Sequence, residues 1–327
     1  MLGAIFAILS AASFALNNAT VRRGVVSGTP MQAMAISVPL GIVCFLPLAF
    51  LSGELMRLPQ FPKAAAAWMA GFGLLHFVVG RYCNFRASAV AGVNLTAPVV
   101  QLQVVVTMVL AVVVLHEPCT ALQMIGGALI IAGSLITQRA PVRTAAAKAE
   151  KPAVALFAPQ YLAGYVLASL AAISYGTTPV MARFALEHTG PATGILGGLI
   201  AYVAATAVAA LALLSAPVRR NITALSRDNA RWFALSGVFV AAAQGFFFAA
   251  VAVAPVMLVM PLLQFSLAFR MLFSTWLNPD HEVVGPLVLV GVVTSLLGAL
   301  MVSIDTGLIV DFLAVPGALA RLLLWRV

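Results

Sequence analysis

The chain has 327 residues, of which 63% are apolar and only 8% are charged. A soluble globular protein carries about 25% charged residues, so this composition excludes a soluble domain. The net charge of +9 does not indicate nucleic-acid binding, because the Lys and Arg residues lie mostly at the ends of apolar blocks, where lipid headgroups would meet them.

The apolar blocks are about 20 residues long, which is the length that an α-helix needs to cross the hydrocarbon core. They are continuous and lack the period-two alternation of a membrane β-barrel, so they predict helices. We predict ten spans, at residues 2–20, 31–51, 65–86, 90–115, 120–138, 160–182, 191–214, 232–254, 256–277 and 284–304.

Two polar stretches divide the predicted spans. The charged segment 139–158 predicts a linker between two halves, and residues 215–231 predict a polar loop. The tail 305–327 contains two acids and a proline before a short apolar run, which favours a C-terminal interfacial segment over an eleventh span.

The two halves are related by an internal repeat. Residues 85–101 and 248–264 are identical at nine of seventeen positions without a gap, including Phe, Pro and Gln in register. The repeat therefore predicts two units, 1–138 and 159–304, each with five spans. Because five is an odd number, the two units must lie in opposite orientations in the membrane, which is typical of secondary transporters.

The sequence resembles the EamA family of the drug/metabolite transporter superfamily over residues 1–304. Besides the duplication, the resemblance depends on the spacing between Ala87 and Pro98. It also depends on the turn His116-Glu117-Pro118, which is followed by Gln123, Gly126, Gly127 and Gly133. The chain departs from the family at Phe14, where a Trp is common. The resemblance implies a transporter rather than an enzyme, with the fifth and tenth spans at the periphery.

Two arginines lie within predicted spans. A charged side chain at mid-bilayer costs about 2.5–3.5 kcal/mol and indicates function by default. Arg81 and Arg270 have no acidic partner within a span, and a guanidinium suits carboxylate or phosphate, so we expect an anionic group of the substrate to bind them. Snorkelling of Arg81 and a structural cap by Arg270 remain alternatives.

Other polar side chains within the spans are candidates to line the same cavity, although each could equally hold helices together. The predicted substrate-binding residues are Asn17, Asn94, Gln101, Tyr175, Gln244 and Gln264. Pro98 and Pro261 occupy equivalent repeat positions and predict kinks, since proline removes a backbone donor.

His76 could carry a coupling proton, or it could be a satisfied core histidine. Glu117 follows the fourth span and is predicted to stabilise its turn. The sequence contains no metal-ligand spacing, cofactor motif or catalytic motif.

These features predict a secondary transporter, acting as an exporter of small metabolites such as amino acids or related amphiphilic anions, in a bacterial inner membrane. A lipid-carrier flippase and a non-transporting membrane protein are the alternatives, and a homodimer is left open. The positive-inside rule places the N-terminus outside, whereas the family resemblance places both termini inside.

Overall fold

The computed structural model describes residues 1–25, 28–91, 96, 99–139, 160–187, 189–277, 286–303, 306, 316–317 and 324. Within these residues the regular elements are helices. Most of the predicted linker and most of the C-terminal tail lie outside the described residues.

Among its described residues, the first half contains six α-helices and two other helical segments. The α-helices are α1 (Leu2–Val25), α2 (Pro30–Leu51), α3 (Lys63–Gly73), α4 (Arg81–Ala91), α5 (Gln103–Leu115) and α6 (Ala121–Arg139). A 3-10 helix (Glu54–Gln60) precedes α3, and a π-helical segment (Leu74–Gly80) joins α3 to α4. Such π-helical segments within α-helices are frequent at functional sites.

Among its described residues, the second half contains seven α-helices. They are α7 (Tyr161–Leu186), α8 (Thr193–Ala212), α9 (Ala216–Thr223), α10 (Arg227–Val253), α11 (Val256–Leu262), α12 (Ser266–Leu277) and α13 (Pro286–Ser303). A 3-10 turn (Leu263–Phe265) separates α11 from α12, two residues after Pro261.

Six described helices are long and apolar enough to cross a membrane, and they coincide with the predicted first, second, third, sixth, seventh and eighth spans. They are Leu2–Val21, Met31–Leu51, Lys63–Ala87, Tyr161–Leu186, Thr193–Ala212 and Arg227–Val253. Four shorter apolar helices lie at the other predicted spans: Val99–Leu115, Ala121–Ile136, Val256–Phe269 and Leu289–Val302. Membrane crossing by these four stays a prediction.

The segment 215–231 was predicted to be a polar loop. It instead contains a helix, α9. Asn221 of this helix is bonded to the start of α2: the Thr29 hydroxyl donates to its side-chain oxygen at 2.8 Å, and the Gln32 amide donates to its carbonyl at 2.7 Å. Thr29 also caps α2 by accepting a hydrogen bond from the Gln32 N–H. These bonds fix α9 against the end of the bundle.

The most extensive helix contacts have equivalents after exchange of the halves. Helix α1 packs along α10 and α12. In the same way, α7 packs along α3 and α4, which together correspond to α10, and along α5, which corresponds to α12. Helix α2 contacts α10, as α8 contacts α3. Two further pairs, α2 with α8 and α6 with α13, are their own equivalents.

The α6–α13 pair is held together by closely packed glycines. A Cβ atom at Gly126 would lie 2.7 Å from the Gly298 carbonyl oxygen, and one at Gly133 would clash with the Gly291 carbonyl oxygen. The absence of side chains at these positions lets the two backbones approach closely, as in small-residue membrane interfaces.

Candidate functional site

A polar cavity of about 420 Å³ lies between the halves. Its wall comes from α1, α2, α3 to α5, α7, α10, α11 and α12. The polar and aromatic residues that line it are Phe14, Asn17, Asn18, Ser37, Phe72, His76, Arg81, Asn84, Phe85, Gln101, Gln103, Tyr175, Thr178, Ser236, Gln244, Phe247, Gln264 and Ser266.

The cavity extends from mid-depth towards one end of the bundle. It is lined by residues near the end of α1, such as Val21, and near the start of α2, such as Ala33. We call this end the cavity face, which carries the end of α1 and the start of α2. The opposite end, which carries Glu117, Arg183 and the junction between α10 and α11, is the clasp face.

Arg81 is the cationic group of the cavity wall within the described residues. Its guanidinium donates to the Ser37 hydroxyl at 3.2 Å and lies 5.6 Å from the centre of the Phe77 ring. No Asp or Glu lines the cavity in the described part of the chain. The positive charge is therefore held by a neutral hydroxyl and an aromatic face, which leaves it able to attract an anion.

Gln101 and Gln264, which the repeat places at equivalent positions, meet in the cavity. The amide of Gln101 donates to the side-chain oxygen of Gln264 at 3.0 Å. This bond joins the two halves at the level of the cavity.

A second pair of bonds joins equivalent helices of the two halves. Asn17 of α1 accepts a hydrogen bond from Ser236 of α10 at 2.7 Å. Thr178 of α7, 161 positions after Asn17, lies 3.0 Å from the His76 Nδ1 atom. Each bond joins a helix of one half to a helix of the other along the wall of the cavity.

His76 lies in the π-helical segment and is surrounded by rings. Its imidazole stacks on Phe72 with the ring centres 5.1 Å apart, and the Tyr175 ring lies 5.0 Å away. The His76 Nε2 atom is 3.2 Å from the side-chain nitrogen of Gln244, which is almost completely buried. The ring therefore has polar neighbours on both nitrogens.

Glu117 lies away from the cavity, on the clasp face. Its carboxylate accepts hydrogen bonds from the backbone N–H groups of Val256 at 2.9 Å and Met257 at 2.8 Å, the first two residues of α11. These donors have no partner within their own helix, so the carboxylate of the first half caps a helix of the second. The sequence analysis expected Glu117 to stabilise its own turn; its carboxylate bonds cross to the other half.

Burial raises the pKa of the Glu117 carboxyl. The two backbone hydrogen bonds and the charge of Arg183 oppose this rise without cancelling it.

Arg183 completes the contacts at the same junction. Its guanidinium donates to the carbonyl oxygens of Val251 at 2.7 Å and Ala254 at 3.2 Å, and it forms an ion pair with Glu187 at 2.8 Å. Arg183 thus satisfies the carbonyls at the end of α10, and Glu117 satisfies the N–H groups at the start of α11. We call this arrangement of Glu117, Arg183 and residues 251–257 the clasp.

The structure brings most of the predicted site residues together. Seven of them line the cavity: Asn17, His76, Arg81, Gln101, Tyr175, Gln244 and Gln264. Pro261 is buried in α11 beside the cavity-lining Met260. Asn94, Pro98 and the side chain of Arg270 lie outside the described residues.

The sequence analysis missed Ser37 and Ser236 in the cavity and the role of Arg183 at the junction. Ser37 and Ser236 are single hydroxyl residues within apolar helices, a signal too common in membrane helices to be selected. The role of Arg183 could not be predicted, because its carbonyl partners lie 68 and 71 positions away.

A second cavity, of about 460 Å³, lies between α5 and α6. Apolar residues such as Val109, Val113 and Ile131 line it, together with Cys119. Its described lining residues include no charged or amide group that could orient a polar substrate, so we assign the functional site to the polar cavity.

The sequence model of the EamA-like transporter family matches residues 1–139 and 162–304. The chain belongs to the EamA-like transporter family. The match in two segments confirms the expected resemblance. Together with the six long apolar helices, it identifies an integral multi-pass membrane protein.

Other comparisons bear on the fold alone. A solved structure described as "Crystal structure of protein" matches with a TM-score of 0.65 and 16% sequence identity, covering 95% of this chain and 97% of that chain. No match was found among the curated proteins.

Proposed function

We propose that this EamA-family protein is a secondary transporter of a bacterial inner membrane that exports small metabolites bearing an anionic group, such as amino acids or related amphiphilic anions. The observation that carries the proposal is the polar cavity between the halves, with the Arg81 guanidinium in its wall and no carboxylate among its described lining residues.

The size of the cavity favours a small molecule. Its volume of about 420 Å³ falls within the range of roughly 300–1,000 Å³ that ligand pockets occupy. Aromatic rings of Phe14, Phe72 and Phe247 lie beside the polar groups, so the wall suits a molecule with an apolar part and a charged part.

Alternating access between two inverted five-span repeats is the proposed mechanism. Exchange of the halves carries the most extensive helix contacts onto one another, which supports a pseudo-twofold relation. The cavity reaches towards the cavity face, whereas the clasp joins the halves at the other face. Rocking of one repeat against the other would then open the clasp face and close the cavity face.

The test compares the metabolites in the medium of cells that overproduce the wild type, Arg81→Gln or Arg86→Gln. Arg86 lies on the same helix but is exposed and does not line the cavity, so it controls for the loss of one positive charge. A hydrogen bond to a charged group contributes about 1.5–3 kcal/mol, so we expect Arg81→Gln to lower efflux roughly 10- to 100-fold. Arg86→Gln should retain efflux.

Detergent extraction followed by size-exclusion chromatography would show that both variants fold. The proposal fails if overproduction enriches no metabolite in the medium. It also fails if folded Arg81→Gln exports as much as the wild type.

A further inference from the structure

The neighbours of His76 can satisfy a neutral ring. When the Thr178 hydroxyl donates to the Tyr175 carbonyl at 3.1 Å, its oxygen can accept from the imidazole. The His76 Nδ1 atom, 3.0 Å from that oxygen, then carries the hydrogen. The other ring nitrogen faces the side-chain nitrogen of Gln244 at 3.2 Å, and with this amide orientation Nε2 accepts and the ring is neutral.

This arrangement leaves one buried acceptor without a partner. The side-chain oxygen of Gln244 is buried and accepts no hydrogen bond, although Gln244 is only 1% exposed. A buried polar atom without a partner costs free energy and requires an explanation. If His76 were only a neutral structural residue, any side-chain donor could bond to its Nε2 atom, and an amide with an unpaired oxygen would not be required.

A rotation of the Gln244 amide by half a turn supplies the explanation. It exchanges the NH₂ group and the oxygen, so that the oxygen faces His76 Nε2. A protonated imidazole needs this acceptor, because both of its nitrogens donate. Thr178 and Gln244 can therefore satisfy His76 in both charge states without any movement of the helices.

The charges around the ring determine when it can hold a proton. Among the described residues, the ionisable groups that lie around the ring are Arg81 and Cys83 from α4, Tyr175 from α7 and Tyr202 from α8. Arg81 is the cation of this set, and none of the group is a carboxylate. When no anion is bound, the Arg81 guanidinium opposes a positive charge on His76. An anion bound at Arg81 would stabilise that charge.

We propose that His76 takes up a proton at Nε2 together with the transported anion, with the Gln244 amide rotating to accept the new N–H, so that proton and anion cross the membrane together. The proton comes from water in the cavity and returns to water on the other side. An anion that accumulates inside the cell then drives its own efflux with one proton. This inference rests on the proposed transport of anions through the cavity.

Transport in proteoliposomes tests the coupling. Vesicles are loaded with the pH dye pyranine and with impermeant L-glutamate, malate or 2-phosphoglycerate, and efflux and internal pH are recorded together. The wild type should make the interior more alkaline as the anion leaves. His76→Gln should still exchange internal for external anion, but its proton flux per anion should fall roughly tenfold or more. His116→Gln, at an exposed histidine on the clasp face, should behave as the wild type.

Nitrogen NMR of histidine-labelled protein in nanodiscs tests the geometry without a substrate. The wild type should show His76 as the neutral Nδ1–H form at neutral pH. Gln244→Glu, which places a carboxylate at the unpaired acceptor, should convert His76 to the cation, whereas Gln244→Leu should not.

The inference is overturned if His76→Gln retains the wild-type proton flux per anion, or if His76 stays neutral in Gln244→Glu. If the wild type moves none of the anions, the proposed function itself fails and the inference falls with it.

Discussion

The two end faces of the helix bundle contrast in how their polar groups are used. At the clasp face, the Glu117 and Arg183 side chains bond to the backbone ends of α10 and α11, so their charges complete helices. Towards the cavity face, the described contacts of the Arg81 guanidinium are the Ser37 hydroxyl and the Phe77 ring, and the cavity retains space beside it. A charged side chain thus stabilises the fold where it pairs with free backbone groups, and it is available to a ligand where such groups are not within reach.

The largest effect on stability is expected from Arg183→Met. Its side chain is 14% exposed, and its guanidinium donates to carbonyls at the end of α10 that have no helical partner. Leaving two buried carbonyls unpaired should lower the free energy of unfolding by about 2–4 kcal/mol, measured by SDS titration in mixed micelles.

Arg219→Met is the matched control for this variant. Arg219 also donates to two carbonyls, those of Leu213 and Leu214, but on an exposed surface where water can replace it. We expect a change below about 1 kcal/mol. Equal losses for the two variants would contradict the distinction between buried and exposed caps.

A smaller effect is expected from Glu117→Ala. The variant leaves the first N–H groups of α11 uncapped, so unfolding should become easier by about 1–2 kcal/mol. Opening of the clasp should also expose the buried Cys119, two residues away, to a membrane-impermeant maleimide in protein whose other cysteines are replaced by serine. Unchanged labelling of Cys119 would show that the clasp does not hold this face closed.

The pH dependence of stability should reveal the buried carboxyl of Glu117. Burial raises its pKa, so the folded protein binds this proton more tightly than the unfolded chain does. The free energy of unfolding should then fall as the pH rises from the ordinary carboxyl pKa through the raised one. Glu117→Gln, which keeps one accepting oxygen without a charge, should flatten this decline.

Asp228→Asn provides the comparison, because the Asp228 side chain is exposed near the cavity face. It should leave the pH profile of the wild type unchanged. A profile that is as steep in Glu117→Gln as in the wild type would assign the pH dependence to another group.

The smallest effect is expected in the cavity wall, from Ser236→Ala. Its hydroxyl donates to Asn17, and side-chain hydrogen bonds between membrane helices contribute about 0.6 kcal/mol on average. Thr294→Ala, which removes a bond within one exposed turn of α13, should cost less. If Ser236→Ala lowered the free energy of unfolding as much as Glu117→Ala, the proposed difference in stabilisation between the cavity wall and the clasp would be contradicted.

Much of the helix arrangement could be predicted because the bilayer imposes a length on each span. The predicted spans 2–20 and 31–51 correspond to α1 and α2, and all but the first residue of the charged segment 139–158 falls between the two matched family segments. The repeat also placed Gln101 and Gln264 at equivalent positions, and their amides meet. Helical periodicity could not predict the π-helical segment that carries His76, because its hydrogen-bond register is set by packing against the other helices.

The sequence by itself determined that the chain is an integral membrane protein with two related halves, because apolar block length and internal identity are properties of residue order. The same order placed Arg81 in the third span without an acidic partner nearby in sequence. Only the tertiary structure decided which charges are committed to structure. Glu117 lies about 140 positions from the N–H groups that it caps, and Arg81 lies 44 positions from Ser37. Such partners are chosen by helix packing, since burial forces each polar group to find whichever complementary group the fold brings within reach.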